Sequence, residues 1–185
     1  MKGIIISGMP AVGKTTVART IAERFDLRYY SGGDVLKEMA RESGYAISGD
    51  DWWDTEDGMK FISQRKDDES FDKMVDERLL NLLEKGGIVV TRYPLPWLVK
   101  DALKIWLKAS EITRAKRLSG RDTLEIKDSS KIIEKRDMEN RGIYSQIYGI
   151  RFGDDLSVFD FVIATDDLSS QQVSEITISI VKQFV

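Results

Sequence analysis

The sequence predicts an α/β protein in which a five-stranded parallel sheet is covered by helices on both faces. Five short apolar segments are typical of buried strands, and segments with apolar residues at helical spacing separate them along the chain. Hairpin signals are nearly absent, so successive strands are expected to run parallel. Ligands of such sheets bind beyond the carboxyl ends of the strands, and we expect the functional site there.

The first part of the chain alternates strand and helix. Residues 4–6 are isoleucines followed by Ser-Gly, a pattern typical of a buried central strand. Apolar residues at helical spacing predict a helix over 15–25, and a short strand is expected over 27–30. Asp34 stands directly before the next periodic segment, so we expect it to be the N-cap of a second helix.

The middle of the chain predicts an insertion followed by two more strands. Residues 43–72 are rich in acidic side chains and lack a clear period, which indicates an irregular insertion rather than a separate domain. Helical spacing of apolar residues predicts a helix over 74–83, which two glycines end. Apolar segments then predict strands over 88–90 and 103–107.

The last part of the chain predicts two helices around a mobile flap, then a final strand and helix. A helix is expected over 112–118, and the charged, glycine-containing segment 119–130 is expected to break it. A long charged helix should follow over 131–148. Aromatic and β-branched residues predict the last strand over 159–163, and apolar spacing predicts a closing helix over 173–181.

Composition excludes several classes of function. The chain has 185 residues with no cysteine and no histidine, which excludes disulfides, thiolate nucleophiles, imidazole bases and cysteine or histidine zinc sites. A formal net charge of -3 argues against a nucleic-acid-binding surface. No apolar stretch approaches membrane-spanning length, so we expect a cytoplasmic protein without a membrane or nucleic-acid partner, acting as a monomer or weak dimer.

A complete phosphate-binding motif follows the first predicted strand. Residues 8–15, Gly-Met-Pro-Ala-Val-Gly-Lys-Thr, match Gly-x-x-x-x-Gly-Lys-Ser/Thr and open a predicted helix. In this motif backbone N–H groups bind phosphate oxygens, the lysine reaches the β and γ phosphates, and the hydroxyl of Thr15 can bind Mg²⁺. We therefore predict ATP and Mg²⁺ as cofactors, with an ATP-binding segment made of Gly8, Met9, Pro10, Ala11, Val12, Gly13, Lys14, Thr15 and Thr16.

Other nucleotide-binding signatures are missing. The sequence lacks Asp-x-x-Gly and Asn-Lys-x-Asp, which a guanine-reading switch protein needs, and no apolar strand ends in Asp-Glu as in most motor and transporter ATPases. A Gly-x-Gly dinucleotide fingerprint is absent as well. These absences favour a phosphotransferase over a switch, a motor or a dehydrogenase.

Five arginines stand where they could stabilise a transferring phosphoryl group. Phosphoryl transfer depends chiefly on positioning and on positive charge around the transferring oxygens. The candidates are Arg92 after a central strand, Arg117 and Arg121 beside the flap, and Arg136 and Arg141 on the following helix. Each alone is more typical of a solvated helix arginine, and it is their grouping around one segment that favours the functional interpretation.

Beyond these motifs, nearly the whole chain resembles the archaeal-type cytidylate kinases and, more distantly, the adenylate kinases. The resemblance is carried by the phosphate loop and by residues 31–36, 71–72, 76–78, 103–109, 114–117, 121, 148–150 and 155–160. It implies a P-loop NTPase fold, a three-layer α/β/α sandwich with strand order 2-3-1-4-5. A single kinase domain over 1–185 would then carry a monophosphate-binding insertion at about 31–85 and a lid at about 117–141.

The resemblance also implies roles for individual residues. Lys14, Arg117, Arg121 and Arg136 would be catalytic. Substrate-binding residues would be Ser31, Gly33, Asp34, Arg92 and Arg141, with Asp34 orienting the acceptor. The lid would close over ATP and exclude water, which suppresses hydrolysis.

Two segments depart from the family pattern. Thr91 stands where the related kinases have an acidic residue, and Arg92 is shifted relative to their arginine. In the insertion, Trp52 and Trp53 could stack on the acceptor base or could pack the insertion onto the core. The identity of the acceptor is therefore the least constrained part of the prediction.

Three hypotheses follow from these observations. The leading one is transfer of the γ-phosphoryl group of ATP to CMP or dCMP. The second keeps the kinase chemistry with AMP, another nucleotide or a small alcohol as acceptor, for which Asp34 could act as a base. The third is a nucleotide-dependent regulatory protein with weak ATPase activity; the missing acidic residue at Thr91 favours it, and the intact Lys14 and Thr15 argue against it.

Overall fold

The computed structural model describes residues 3–47, 56–63 and 70–185, and it confirms the α/β architecture. Strands and helices alternate along the chain. In chain order the elements are β1 (Ile4–Gly8), α1 (Lys14–Arg24), β2 (Arg28–Ser31), α2 (Gly32–Glu42), α3 (Glu56–Ser63), α4 (Ser70–Glu84), β3 (Ile88–Thr91), α5 (Leu95–Leu98), β4 (Leu103–Lys108), α6 (Glu111–Asp122), α7 (Ile126–Tyr148), β5 (Phe161–Ala164) and α8 (Ser170–Val181).

The strands form one parallel sheet with β1 at its centre. Their order is β2-β3-β1-β4-β5, as predicted. Ile4 of β1 lies opposite Val89 of β3 and Leu103 of β4, and both neighbouring pairs are parallel. The two outer pairs are parallel too, so all strands end at the same edge of the sheet, where the loops that follow them meet.

Helices cover both faces of the sheet. Ile4 and Ile6 belong to a buried cluster with α1 and α8, whereas Ile5 belongs to a cluster with α2 and α4 on the other face. This alternation follows from the two-residue period of a strand, and burial on both sides explains why the segment is apolar throughout. All three isoleucines are fully buried.

The start of α2 differs from the prediction. Asp34 is not the N-cap: Ser31 caps the helix and also ends β2, which runs one residue later than expected. The Ser31 side chain accepts a hydrogen bond from the Asp34 N–H, and the Asp34 carboxylate accepts one from the Ser31 N–H at 2.8 Å. This reciprocal capping box satisfies two N–H groups, whereas Asp34 as N-cap would leave Ser31 outside the helix end.

The insertion is more regular than the sequence suggested. The prediction of an irregular segment over 43–72 is wrong for 56–63, which form α3, and α4 begins at Ser70. Phe61 of α3 is buried and packs edge-on against Tyr45 and Phe71, with ring centroids 5.4 and 5.0 Å away. Aromatic packing therefore orders a short helix whose sequence period is weak. Trp52 and Trp53 lie outside the described residues.

The expected flap between the last long helices is also mostly helical. Segment 119–130 was predicted to break the helix, but α6 continues through Asp122 and α7 begins at Ile126. The chain reverses over three residues, where Thr123 adopts a left-handed conformation with φ 54°. Gly120 costs about 1 kcal/mol of helix stability at its exposed position, and the buried Ala115 and Leu118 of the same helix offset this cost, so the glycine did not mark a break.

Smaller differences concern the segments around the last strands. The short helix α5 was not predicted, and β5 begins at Phe161 rather than at residue 159. Phe159 instead packs edge-on against Trp97 and Trp106, at 5.3 and 5.1 Å between ring centroids. No helix in the described part of the chain is both long and apolar enough to cross a membrane.

Candidate active site

The phosphate loop connects the central strand β1 to helix α1. Gly8 has φ 152°, and a Cβ placed on it would lie 2.5 Å from the carbonyl oxygen of Leu107, so only glycine fits. Gly13 has φ 100° and forms the N-cap of α1 without a side-chain cap. The first-turn N–H groups and the positive end of the α1 dipole therefore stand at the loop, an arrangement that binds anions.

A cavity of about 800 Å³ opens over this loop. Its walls come from the loop, the start of α1, Tyr93, helices α6 and α7, and the start of α8. The lining residues are Ala11, Val12, Gly13, Lys14, Thr15, Thr16, Val17, Tyr93, Arg117, Leu118, Arg121, Arg136, Leu168, Ser169, Ser170 and Val173. None of these described lining residues is acidic, whereas four carry positive charge, so the cavity suits a polyanion with an apolar end against Leu168 and Val173.

Lys14 extends back over the loop. Its ammonium donates hydrogen bonds of 2.9 Å to the carbonyl oxygens of Gly8 and Met9 and lies 4.7 Å from the centroid of the Tyr93 ring. Burial, together with the charges of Arg136 and Arg114, lowers the pKa of Lys14 to about 7, and Asp137 opposes this shift. Phosphate oxygens in the cavity would be negatively charged partners for this ammonium.

The structure brings the three predicted catalytic arginines to this same cavity in different settings. Arg117 donates hydrogen bonds to the carbonyl oxygens of Val12 and Thr165 at 3.1 and 2.6 Å. Arg121 is exposed and pairs with Asp122 at its own helix end, with one hydrogen bond of 2.7 Å. Arg136 forms no hydrogen bond or ion pair with any residue of the described ranges, and it faces Lys14 closely enough to lower the pKa of that group.

A buried ion pair below the loop was not among the predicted site residues. Arg114 of α6 forms two hydrogen bonds with the Asp137 carboxylate of α7, at 3.0 and 2.7 Å, and a third of 3.2 Å with the carbonyl oxygen of Pro10. The contact fixes the loop to both helices. Because the two partners stand 23 residues apart on the chain, no local pattern could reveal it.

On the acceptor side, Arg92 forms a buried network with three other residues. It donates to Asp76 at 2.6 Å and to Asp72 at 2.7 Å, and the hydroxyl of Tyr148 donates to Asp76 at 2.7 Å. Arg92 is 7% exposed and Asp76 1%. Burial opposes the charge on Arg92, yet Tyr144, Asp76 and Asp72 together raise its pKa well above the usual range. We call these four residues the Arg92 network.

The other predicted acceptor residues fall into two places. Ser31, Gly33 and Asp34 lie at the start of α2, where Ser31 also donates its hydroxyl to Asp34 at 2.7 Å. A Cβ on Gly32 would lie 2.9 Å from the Arg92 side chain, so this turn packs directly on the Arg92 network.

Arg141 lies apart from that group. Its described contacts are with the loop after α7, namely the carbonyl oxygen of Phe152 at 3.4 Å and the carboxylate of Asp154 at 3.6 Å. The structure thus joins Arg92 to the start of α2 and leaves Arg141 beside another loop. Their roles in binding substrate stay predictions.

A magnesium ion bound with a nucleotide fits the residues present. Thr15 is exposed in the first turn of α1 and lines the cavity, while no cluster of three acidic or other metal-binding side chains occurs in the described ranges. Mg²⁺ in kinases commonly takes one or two protein ligands plus phosphate oxygens and water. Thr91, buried at the end of β3, shares a 2.9 Å hydrogen bond with the hydroxyl of Tyr29, so its hydroxyl already has a partner within the fold.

The sheet order and the cationic cavity over the phosphate loop place the chain in the class of P-loop kinases. A model of the cytidylate kinase-like family matches residues 3–167. The chain therefore belongs to the cytidylate kinase-like family.

Curated relatives match over almost the full chain. The cytidylate kinase of Staphylothermus marinus is 33% identical, with 98% of this chain and 95% of the relative covered. The cytidylate kinase of Methanocaldococcus jannaschii is 32% identical, with 95% of each chain covered. The family resemblance seen in the motifs is confirmed.

Solved structures confirm the fold. An uncharacterised protein from Eubacterium ventriosum superposes with a TM-score of 0.66 at 16% identity, covering 98% of both chains. The shikimate kinase of Acinetobacter baumannii, solved with shikimate, gives a TM-score of 0.58 at 16% identity, covering 98% of this chain and 93% of that one. At such identities the likeness concerns the fold alone.

Proposed function

We propose that this protein is a cytidylate kinase that transfers the γ-phosphoryl group of ATP to CMP or dCMP. The observation that carries the proposal is the complete phosphate loop opening into a cavity lined by four cations, in a chain that belongs to the cytidylate kinase-like family. Full-length relatives named cytidylate kinase support the choice of CMP as acceptor.

In the proposed reaction the phosphate loop binds the donor. The N–H groups at the start of α1 would bind the β-phosphate oxygens, and Lys14 would leave the carbonyl oxygens of Gly8 and Met9 to bridge the β and γ phosphates. Bound Mg²⁺, held by Thr15 and phosphate oxygens, would neutralise part of their charge. The adenine would lie against Leu168 and Val173, beside Arg117.

The arginines of α6 and α7 complete the proposed catalytic set. Arg136 has no described partner to give up, so it is suited to bind the transferring phosphoryl oxygens directly. Arg117 holds the wall of the donor site through Val12 and Thr165, and Arg121 would leave Asp122 when the lid closes. Such preorganised positive charge acts on the transition state more than on the ground state.

The acceptor would enter from the side of the sheet where α2 begins. In this proposal Ser31, Gly33 and Asp34 shape the site, and the Arg92 network fixes the position of α4 beside it. The insertion at 31–85 and the lid at 117–141 would close on the two substrates. We also propose that the protein acts in the cytoplasm, where ATP is available, as a monomer or weak dimer.

The test is ADP formation from Mg-ATP with a panel of acceptors: CMP, dCMP, UMP, AMP, GMP and shikimate. Turnover with CMP or dCMP that falls about 100- to 1000-fold in Lys14→Ala would support the proposal, since removal of one charge-stabilising donor has effects of this size. Turnover with AMP or shikimate alone would assign the same kinase chemistry to another acceptor. Stimulation by none of them would reject the kinase function.

A further inference from the structure

Tyr93 lies directly against the catalytic lysine, although no motif pointed to it. It follows Arg92 beyond the end of β3, and the Lys14 ammonium stands 4.7 Å from the centroid of its ring. The carbonyl oxygens of Gly8 and Met9 accept from the same ammonium at 2.9 Å. The ring and two carbonyl groups thus surround the charge, and Lys14 and Tyr93 both line the donor cavity.

The Tyr93 ring is itself held in place by two aromatic neighbours. It packs edge-on against Phe152, with centroids 5.2 Å apart and planes at 68°. A second contact, with Tyr144, is tilted at 6.0 Å. Phe152 and Tyr144 are buried, so these contacts restrict the movement of the Tyr93 ring.

No carboxylate in the described part of the chain holds the Lys14 ammonium in position. Lys14 has no ion pair within 4.0 Å there, and Asp137, the acidic residue that acts on it, is bound to Arg114. Thr91 stands where the resembled kinases carry an acidic residue, and it is hydrogen-bonded to Tyr29. The negative face of the Tyr93 ring is therefore the charge-complementary surface that the side chains offer to this ammonium.

We propose that Tyr93 is a positioning residue for Lys14, whose ring face holds the ammonium at the donor cavity before a nucleoside triphosphate binds. This inference rests on the proposed function, because it takes ATP as the ligand. A lysine has four rotatable side-chain bonds, and fixing it in advance lowers the entropy lost when it binds phosphate. Without the ring, the Lys14 side chain would become ordered only when ATP binds, and the entropy lost would weaken binding.

The experiment compares Mg-ATP affinity in Tyr93→Phe, which keeps the ring, and Tyr93→Leu, which keeps only apolar bulk. Both substitutions are also made in Lys14→Met, and affinities are measured by calorimetric titration into the millimolar range. We expect Tyr93→Phe to bind within about twofold of the unaltered protein, and Tyr93→Leu to bind about five- to tenfold more weakly. In Lys14→Met, the same Tyr93→Leu change should have no further effect.

Two results would overturn the inference. Equal Mg-ATP affinity of Tyr93→Leu and the unaltered protein would show that the Tyr93 ring does not position Lys14. An equal loss with and without Lys14 would indicate a general packing defect, because Tyr93 also contacts Phe152 and Tyr144. Failure of the unaltered protein to bind Mg-ATP would instead reject the proposed function, so the two failures are distinguishable.

Discussion

The donor cavity and the Arg92 network both contain arginines at the carboxyl edge of the sheet, but they differ in whether acidic side chains neutralise the positive charge. In the cavity, the Lys14 ammonium is hydrogen-bonded to two carbonyl oxygens and faces an aromatic ring, and Arg136 has no hydrogen-bond or ion-pair partner in the described ranges. In the Arg92 network, one buried guanidinium is matched by two carboxylates. Charge is held ready for a ligand in the first region and neutralised by the fold in the second.

This difference shows that the positive charge of a side chain near a site does not by itself define whether the residue binds ligand or stabilises the fold. A buried arginine that loses one of its carboxylates loses charge-assisted hydrogen bonds that no water replaces, whereas an exposed cation in a ligand cavity can be removed without harm to the fold. Substitutions in the Arg92 network should therefore lower the stability of the fold, whereas substitutions in the cavity should lower turnover. Three predictions test this contrast, in order of decreasing effect.

The largest expected effect is on folding, from Asp76→Ala. Removal of this carboxylate takes from the buried Arg92 one of its two carboxylate partners and from the Tyr148 hydroxyl its acceptor, and we expect the free energy of unfolding to fall by about 3–4 kcal/mol. Urea denaturation measures the change. Glu42→Ala is the matched control, because it breaks an exposed ion pair with Arg78 and should change stability little. Equal losses in the two variants would contradict the buried network.

The next effect is on catalysis, from Arg136→Met. We expect kcat/KM to fall about 100-fold, because one donor to the transferring phosphoryl group is lost, while the unfolding midpoint stays unchanged. Lys135→Met is the control on the same helix: its side chain is 76% exposed and pairs only loosely with Glu139, at 3.9 Å. Retained turnover in Arg136→Met, or an equal loss in the control, would remove Arg136 from the catalytic set.

The smallest effect is a change in protonation on nucleotide binding. The pKa of Lys14 is about 7 because of burial and of Arg136 and Arg114, and bound phosphate should raise it. At pH 8 the free protein therefore holds Lys14 mostly neutral, so ATP binding takes up a proton, whereas at pH 6 the lysine is already charged. We expect uptake of most of one proton at pH 8 and little at pH 6.

Calorimetry in buffers with different ionisation enthalpies measures this uptake. Lys14→Met should abolish the part that depends on the lysine. Uptake at pH 8 that persists in Lys14→Met would assign the proton to another group and would contradict the lowered pKa.

The fold and the donor site were predictable because their determinants are short-range. The phosphate loop occupies eight consecutive residues, and its glycines are required by backbone geometry that the motif itself encodes. The sheet followed from apolar segments of strand length. Ser31 and Asp34 show a readable signal that was assigned wrongly: the Ser-x-x-Asp spacing is a capping box, and Ser31 rather than Asp34 begins the helix.

The Arg92 network could not be predicted because its members come from distant parts of the chain. Arg92 is 16 residues from Asp76, and Tyr148 is 72 residues from it. Local patterns on α4 place Asp72 and Asp76 on one helix face but do not reveal a partner. Tyr93 was missed for the same reason, since its contact with Lys14 depends on the neighbouring positions of β1 and β3 in the sheet.

The most direct test of the central claim follows the phosphorus atom itself. The protein is incubated with CMP, Mg²⁺ and ATP that carries an isotopic label in its γ-phosphoryl group, and the products are separated by chromatography. We expect the label to appear in CDP in proportion to the ADP formed, and Lys14→Ala to lower its rate of appearance about 100- to 1000-fold. Label found only in inorganic phosphate, or none released at all, would contradict a cytidylate kinase.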